Sequence, residues 1–156
     1  MLIWLTYRAG LRIAETLSIT AASFDRDGAL HIDRLKGSKD TVTKLDADTV
    51  AQIGAYIAER GLQDEDLLFQ IEKSTVNYFF EKYCKVAGID RAKSNPHALR
   101  HGFGHLLINS GATLPQIQRA MGHASIASTG VYVAANNQEA NGATMRAFEK
   151  AKGGNQ

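Results

Sequence analysis

The chain has 156 residues, with 18 Lys and Arg against 16 Asp and Glu for a formal charge of +2, and is 44% hydrophobic and 22% charged. That is the length of one domain with an ordinary globular balance, which excludes a disordered tail or a coiled coil as the whole chain. No apolar run approaches the roughly 20 residues of a membrane span, and the start has neither the basic flank nor the small-residue cleavage site of a secretory signal, so no membrane partner is expected.

In chain order, Leu2–Tyr7 reads as the last turns of a helix closed by Gly10, the residue that best tolerates a left-handed cap. Leu11–Leu17 reads as a second short helix with Arg12 and Glu15, at i and i+3, on one side. Ala29–Arg34 and Thr41–Leu45 read as the strands of a β-hairpin. The turn chemistry of Gly37 and Ser38 lies between them, with Lys36 and Lys39 at the tip. Asp48 is the expected cap of a helix through Ile53 and Tyr56 that ends before Gly61. Ser74 is the expected cap of the next, through Val76, Phe79, Phe80, Tyr83, Val86 and Ala87, and the spacing of its aromatics reads as core rather than as a cofactor site. On it sits Cys84, the single cysteine. One cysteine excludes an intrachain disulfide framework and a Cys-rich zinc site, fits a reducing cytoplasm, and reads as a small buried hydrophobe. Ser94 and Pro96 form a cap and first-position proline for a helix from His97 to about Asn109. Thr113 and Pro115 start a short helix to Met121, broken by Gly122 and His123. Ser125 caps a turn leading to Tyr132, and Glu139–Lys150 reads as a final helix. The fold class is therefore mainly α with one small antiparallel β-hairpin (α+β).

Charge is unevenly spread. Residues 1–78 carry a balance of −3 and residues 79–156 one of +5. The 48 residues from Arg91 to Gln138 hold Arg91, Lys93, Arg100 and Arg119, four of the five histidines, and no Asp or Glu. A surface free of carboxylates suits a polyanion, because each acid near a phosphate costs Coulomb energy. Chance together with a buried apolar helix explains the composition equally well.

The helix opened by Pro96 carries His97 and Arg100 three residues apart on one face near its N-terminus. There the first-turn amides, the dipole and an arginine fork favour an anion. An ordinary amphipathic helix with hydrogen-bonded histidines is the competing reading. His97, His101 and His105, at i, i+4 and i+8, also raise metal binding, but they span two turns, too long for one ion to gather, so no metal site is expected.

The ordered set says more than any member of it. Gly10, Leu11, Arg12, Ile13, Ala14 and Glu15 come first, then Lys36 to Lys39 on a hairpin. Pro96, His97, Ala98, Leu99, Arg100 and His101 follow, then Gly122 with His123, and Tyr132 nine residues on. In this order they resemble the tyrosine recombinases of the phage integrase family, over residues 1 to about 135. The resemblance implies that Arg12 and Arg100 clamp a scissile DNA phosphate and that His97 assists the nucleophile's proton. It implies that His123 contacts a phosphate oxygen, Lys36 protonates the leaving oxygen with Lys39 as its rival, Glu15 buttresses the site, and Tyr132 is the nucleophile. Lys39, Arg91, Lys93 and Arg119 are the expected further contacts to DNA.

The chemistry fits those roles. A phenol forms a phosphotyrosine ester that a 5′-hydroxyl attacks in reverse, so strands rejoin without ATP. With a free pKa of about 10, the phenol needs proton help and positive surroundings. Guanidiniums and an imidazole placed beforehand stabilise the transition-state charge without a metal ion, so no cofactor is expected. A lysine serves as general acid for the departing oxygen.

The family places a helical DNA-clamping domain, and further opening helix, before this portion. We therefore expect residues 1–150 to be a catalytic domain truncated at its N-terminus, with an apolar groove left exposed and weak DNA affinity, and residues 151–156 to be a flexible tail. The expected partners are double-stranded DNA and further copies of the chain, as a tetramer on DNA joined by exchange of the last helix. The expected location is cytoplasmic and DNA-associated. Two other functions compete: a catalytically idle DNA-binding or regulatory module that pairs with full-length recombinases, and a metal-dependent hydrolase using the histidines.

Overall fold

The computed structural model describes residues 1–33 and 40–122. Lys36 and Lys39 at the hairpin tip, His123, the turn at Ser125, Tyr132, the helix expected at Glu139–Lys150 and the tail at 151–156 lie outside the described residues.

Helix α1 (Leu2–Arg8) runs into Gly10, whose φ of +61° is left-handed. A side chain there would be strained twice, since its Cβ would also collide with the Phe103 ring. Helix α2 (Ile13–Leu17) starts two residues later than expected, because Arg12 is extended (φ −76°, ψ 150°) and occupies the cap position. The Glu15 carboxylate reaches back to accept from the Arg12 backbone N–H at 2.8 Å. The buried hydroxyls of Thr6 and Thr16, 3.0 Å apart, join the two helices.

Strands β1 (Ala29–Ile32) and β2 (Thr41–Lys44) pair antiparallel, with Ala29 opposite Lys44 and Ile32 opposite Thr41. Leu30 and Ile32 face the core, as the period of a strand requires. Helix α3 (Ala47–Arg60) is capped by Asp46, not Asp48. The Asp46 carboxylate accepts from the Thr49 N–H (3.1 Å) and hydroxyl (2.7 Å), whereas Asp48 lies in the first turn.

Helix α4 (Lys73–Val86) follows Glu72 rather than Ser74, without a side-chain cap. It buries Val76, Phe80 and Cys84, while the aromatics Phe79 and Tyr83, expected in the core, are exposed, as is Val86. A 3₁₀ turn at Arg91–Lys93, not expected from the sequence, is capped by Asp90 and closed by Ser94. Ser94 therefore ends that turn instead of opening helix α5 (His97–Asn109), which Pro96 enters at φ −62°. Helix α6 (Leu114–Ala120) is capped as expected by Thr113, whose N–H donates to Gln116 Oε1 at 2.7 Å.

One core centres on Leu5, Leu11, Leu30, Ile53 and Leu68; a smaller one joins Phe103 on α5 to Ile117 and Met121. α1 lies across α5, where Gly102 leaves room for the Tyr7 ring. That crossing brings the turn before α2 to the start of α5. Among the described residues, no helix is long and apolar enough to cross a membrane.

Candidate functional site

Two chain segments, the start of α2 and helix α5, meet at one buried carboxylate. The side chain of Glu15 is fully buried, and its Oε1 receives Arg12 Nη1 at 2.6 Å. On the other oxygen, Arg100 Nη1 stands 3.7 Å from Oε2. An isolated carboxylate in that position would cost several kcal/mol in lost hydration. Two guanidiniums make its burial tolerable, and in return it holds them in one cluster.

The two arginines differ in exposure. The Arg100 side chain is only 6% exposed; its Nη1 donates to the Gly10 carbonyl at 2.7 Å and its Nη2 donates to the Met121 carbonyl. Arg100 thus ties the turn after α1, the helix α2 and the end of α6 together, immediately before the segment that carries His123. Arg12 keeps 31% of its side chain exposed and lines a cleft of about 500 Å³. Facing it across that cleft are His97 at the start of α5, Ser94, Asn95 and Pro96 before it, and Lys73, Asn77 and Glu81 on α4.

His97 titrates below the ordinary histidine value of 6.5. Partial burial against the cleft wall is the main cause, followed by the like charges of His101, Arg12, Arg100 and Lys73. Its ring is consequently neutral near pH 7 and able to take a proton. The arrangement offers an anion a partly exposed guanidinium, an imidazole and an ammonium around one hollow, with a second guanidinium fixed behind.

Arg12, Glu15, His97 and Arg100 come together as one cluster. Lys36, Lys39, His123 and Tyr132 lie outside the described residues. Arg91 is almost fully exposed, with Nε 3.8 Å from Glu81 Oε1, and Lys93 is exposed on the same 3₁₀ turn. Arg119 is exposed on α6 and does not line the cleft. Among the described residues, no three His, Cys, Asp or Glu side chains are arranged to hold a metal ion. Sequence reasoning missed Lys73 and Asn77, as well as the two carbonyls that Arg100 grips. Lys73 reaches the cleft only because α4 packs beside α2, a contact that no local motif announces.

The model of the phage integrase family matches residues 1–139. The chain is 38% identical over 144 residues to a protein of Caulobacter vibrioides named tyrosine recombinase XerD, covering 84% of this chain and 47% of that one. The crystal structure of XerH site-specific recombinase bound to palindromic difH substrate, a post-cleavage complex, superposes with a TM-score of 0.76 at 27% identity. That match covers 92% of this chain and 44% of that one. The crystal structure of XerA recombinase gives 0.71 at 28% identity, over 82% and 50%. The chain therefore spans about half the length of the relatives it matches.

Proposed function

The chain belongs to the phage integrase family, and from that membership we propose that it is the catalytic portion of a site-specific DNA recombinase that cuts and rejoins strands through a 3′-phosphotyrosine intermediate. The observation that carries this reading is the pairing of Arg12 and Arg100 through the buried Glu15, with His97 beside them on an open cleft. Phosphoryl transfer needs positive charge fixed in place before charge builds on the non-bridging oxygens, and a buried carboxylate holding two guanidiniums meets that need without an ion.

In the proposed reaction the Tyr132 oxygen attacks phosphorus and its proton passes to neutral His97. The bond to the 5′-oxygen breaks as that oxygen takes a proton from Lys36, or from Lys39 if that lysine is the acid. Attack by a 5′-hydroxyl returns the phosphate and frees the phenol, so no net bond energy is spent. The mechanism calls for no metal and no ATP. His123 adds a donor to a phosphate oxygen. Arg91, Lys93 and Arg119 serve as backbone contacts away from the reacting phosphorus. Double-stranded DNA is the partner, and a tetramer formed by exchange of the C-terminal helix is the assembly.

Nicked duplexes prepared from the genome of the protein's own source test this in the presence of chelator. SDS-resistant attachment of the chain to 3′ ends is expected, and Tyr132→Phe should abolish it. An adduct that survives the substitution overturns the nucleophile; a wild-type chain that binds DNA yet never becomes attached is the idle module instead.

A further inference from the structure

The cleft has a wall with no part in the chemistry above. Lys73, Asn77 and Glu81, at i, i+4 and i+8, line it from one side of α4, a run of about 12 Å at 1.5 Å per residue. The wall is polarised. At one end the Lys73 ammonium shares the cleft with Arg12 and His97, and among the described residues no carboxylate is in ion-pair contact with it. At the other end Glu81 stands with Arg91 3.8 Å away. Lys73 is exposed at the rim of the cleft, and its charge is the smallest of the contributions that hold His97 below its ordinary pKa.

We infer that α4 is a directional seat for the DNA backbone, in which Lys73, aided by Asn77, holds a phosphate adjoining the one gripped by Arg12, and Glu81 closes the track by repulsion. This rests on the reading of the chain as a DNA recombinase. Lys73 is a positioning residue here: it contacts the nucleic acid beside the reacting phosphate and takes no proton. The contact is to backbone, so it is independent of sequence.

Fluorescence anisotropy with the full chain and a mixed-sequence 30-base-pair duplex, from 50 to 200 mM salt, measures it. One phosphate contact contributes about 0.9 to the salt slope, so Lys73→Ala should flatten the slope by that amount and weaken binding about 8-fold at 0.1 M salt. Lys73→Arg should restore both, and Glu81→Gln should tighten binding about two- to threefold. Lys82→Ala, which removes a cation from α4 outside the cleft, controls for net charge and should change affinity less than twofold. Lys73 is exposed, so unchanged melting of each variant is the folding check, with Lys73→Gln as the replacement should the alanine variant melt early.

A Lys73→Ala affinity within twofold of wild type, or equal to that of Lys82→Ala, overturns the inference. So does looser binding by Glu81→Gln. The adduct assay separates this inference from the function beneath it. Wild type that binds DNA with this dependence but never attaches to a 3′ end leaves the seat standing and removes the chemistry. Wild type that attaches while Lys73→Ala binds unchanged does the reverse. A chain that binds no DNA removes both.

Discussion

Helix α4 separates two hollows of opposite character, a cleft of about 500 Å³ and a groove of about 230 Å³. On one side Lys73, Asn77 and Glu81 line the cleft of about 500 Å³ shared with Arg12 and His97. On the other, Val76, Phe79, Phe80 and Tyr83 line an open apolar groove with Leu2, Ile3 and Ile71. That groove adjoins a further hollow of about 600 Å³ lined largely by apolar residues, with Leu2 and Ile71 common to both. Size does not mark the chemistry; fixed charge does. The cleft is backed by a fully buried carboxylate, so its geometry is enforced from behind. The groove presents exposed rings, Phe79 stacked on Tyr83 with centroids 6.1 Å apart, and nothing behind them depends on their polar groups.

Removing one group from each side makes that difference measurable. Glu15→Ala leaves the buried Arg100 without its carboxylate and should cost about 3–5 kcal/mol of unfolding free energy. Tyr83→Ser, at a side chain more than half exposed, should change stability by no more than about 0.5 kcal/mol. Denaturant unfolding of both variants tests the pair. Equal losses would mean that the cleft is no more deeply built than the groove.

The difference between the sides of α4 was only partly legible in the sequence. The stripe through Val76, Phe79, Phe80 and Tyr83 has helical period, and helical it is. Periodicity states which residues share a side of a helix, however, and not whether another element covers them, so the spacing assigns Phe79 and Tyr83 to a core they do not enter. Arg12 and Glu15 were legible because three residues on a helix start is a local geometry. Their meeting with Arg100 follows from the crossing of α1 and α5, and for that only the resemblance in motif order gave warning. Asp46 and Asp48 show how local ambiguity fails: two acids two residues apart both suit a helix start, and the Thr49 hydroxyl decides between them. Gly10, Gly61 and Gly88 were legible as stops because all three adopt positive φ.

Within the cleft, the two arginines sharpen the comparison between a fixed wall and an open one. Arg100→Lys loses the planar fork that serves the Gly10 and Met121 carbonyls together, and should cost about 2 kcal/mol of stability. Arg12→Lys keeps a charge beside Glu15 at a partly exposed position and should cost less than about 1 kcal/mol. Both should abolish the covalent adduct if both guanidiniums serve the phosphate. Loss of the adduct from Arg100→Lys alone would make Arg100 the clasp of the site and Arg12 an accessory to it.

The finest distinction concerns His97, where wall and solvent meet. Its lowered pKa has two physical sources: burial against the cleft, and the like charges of His101 and Arg100 on its own helix, Arg12 before α2 and Lys73 on α4. Salt separates them, because mobile ions screen charges across an open cleft but do not restore the water that the cleft wall keeps from a largely exposed ring. In an NMR titration at low salt the His97 midpoint should lie below 6.5, and raising the salt should move it part of the way back. Depression of the folded pKa also makes the unfolded chain bind the proton more readily. The contribution of His97 to stability is therefore present above pH 6.5 and is lost as the pH falls through that value toward the folded midpoint. A midpoint that returns fully to 6.5 in high salt would leave charge as the only cause and make the site an open electrostatic surface. A midpoint that does not move would make burial the whole cause, and Lys73 would then be too well screened to act on the imidazole.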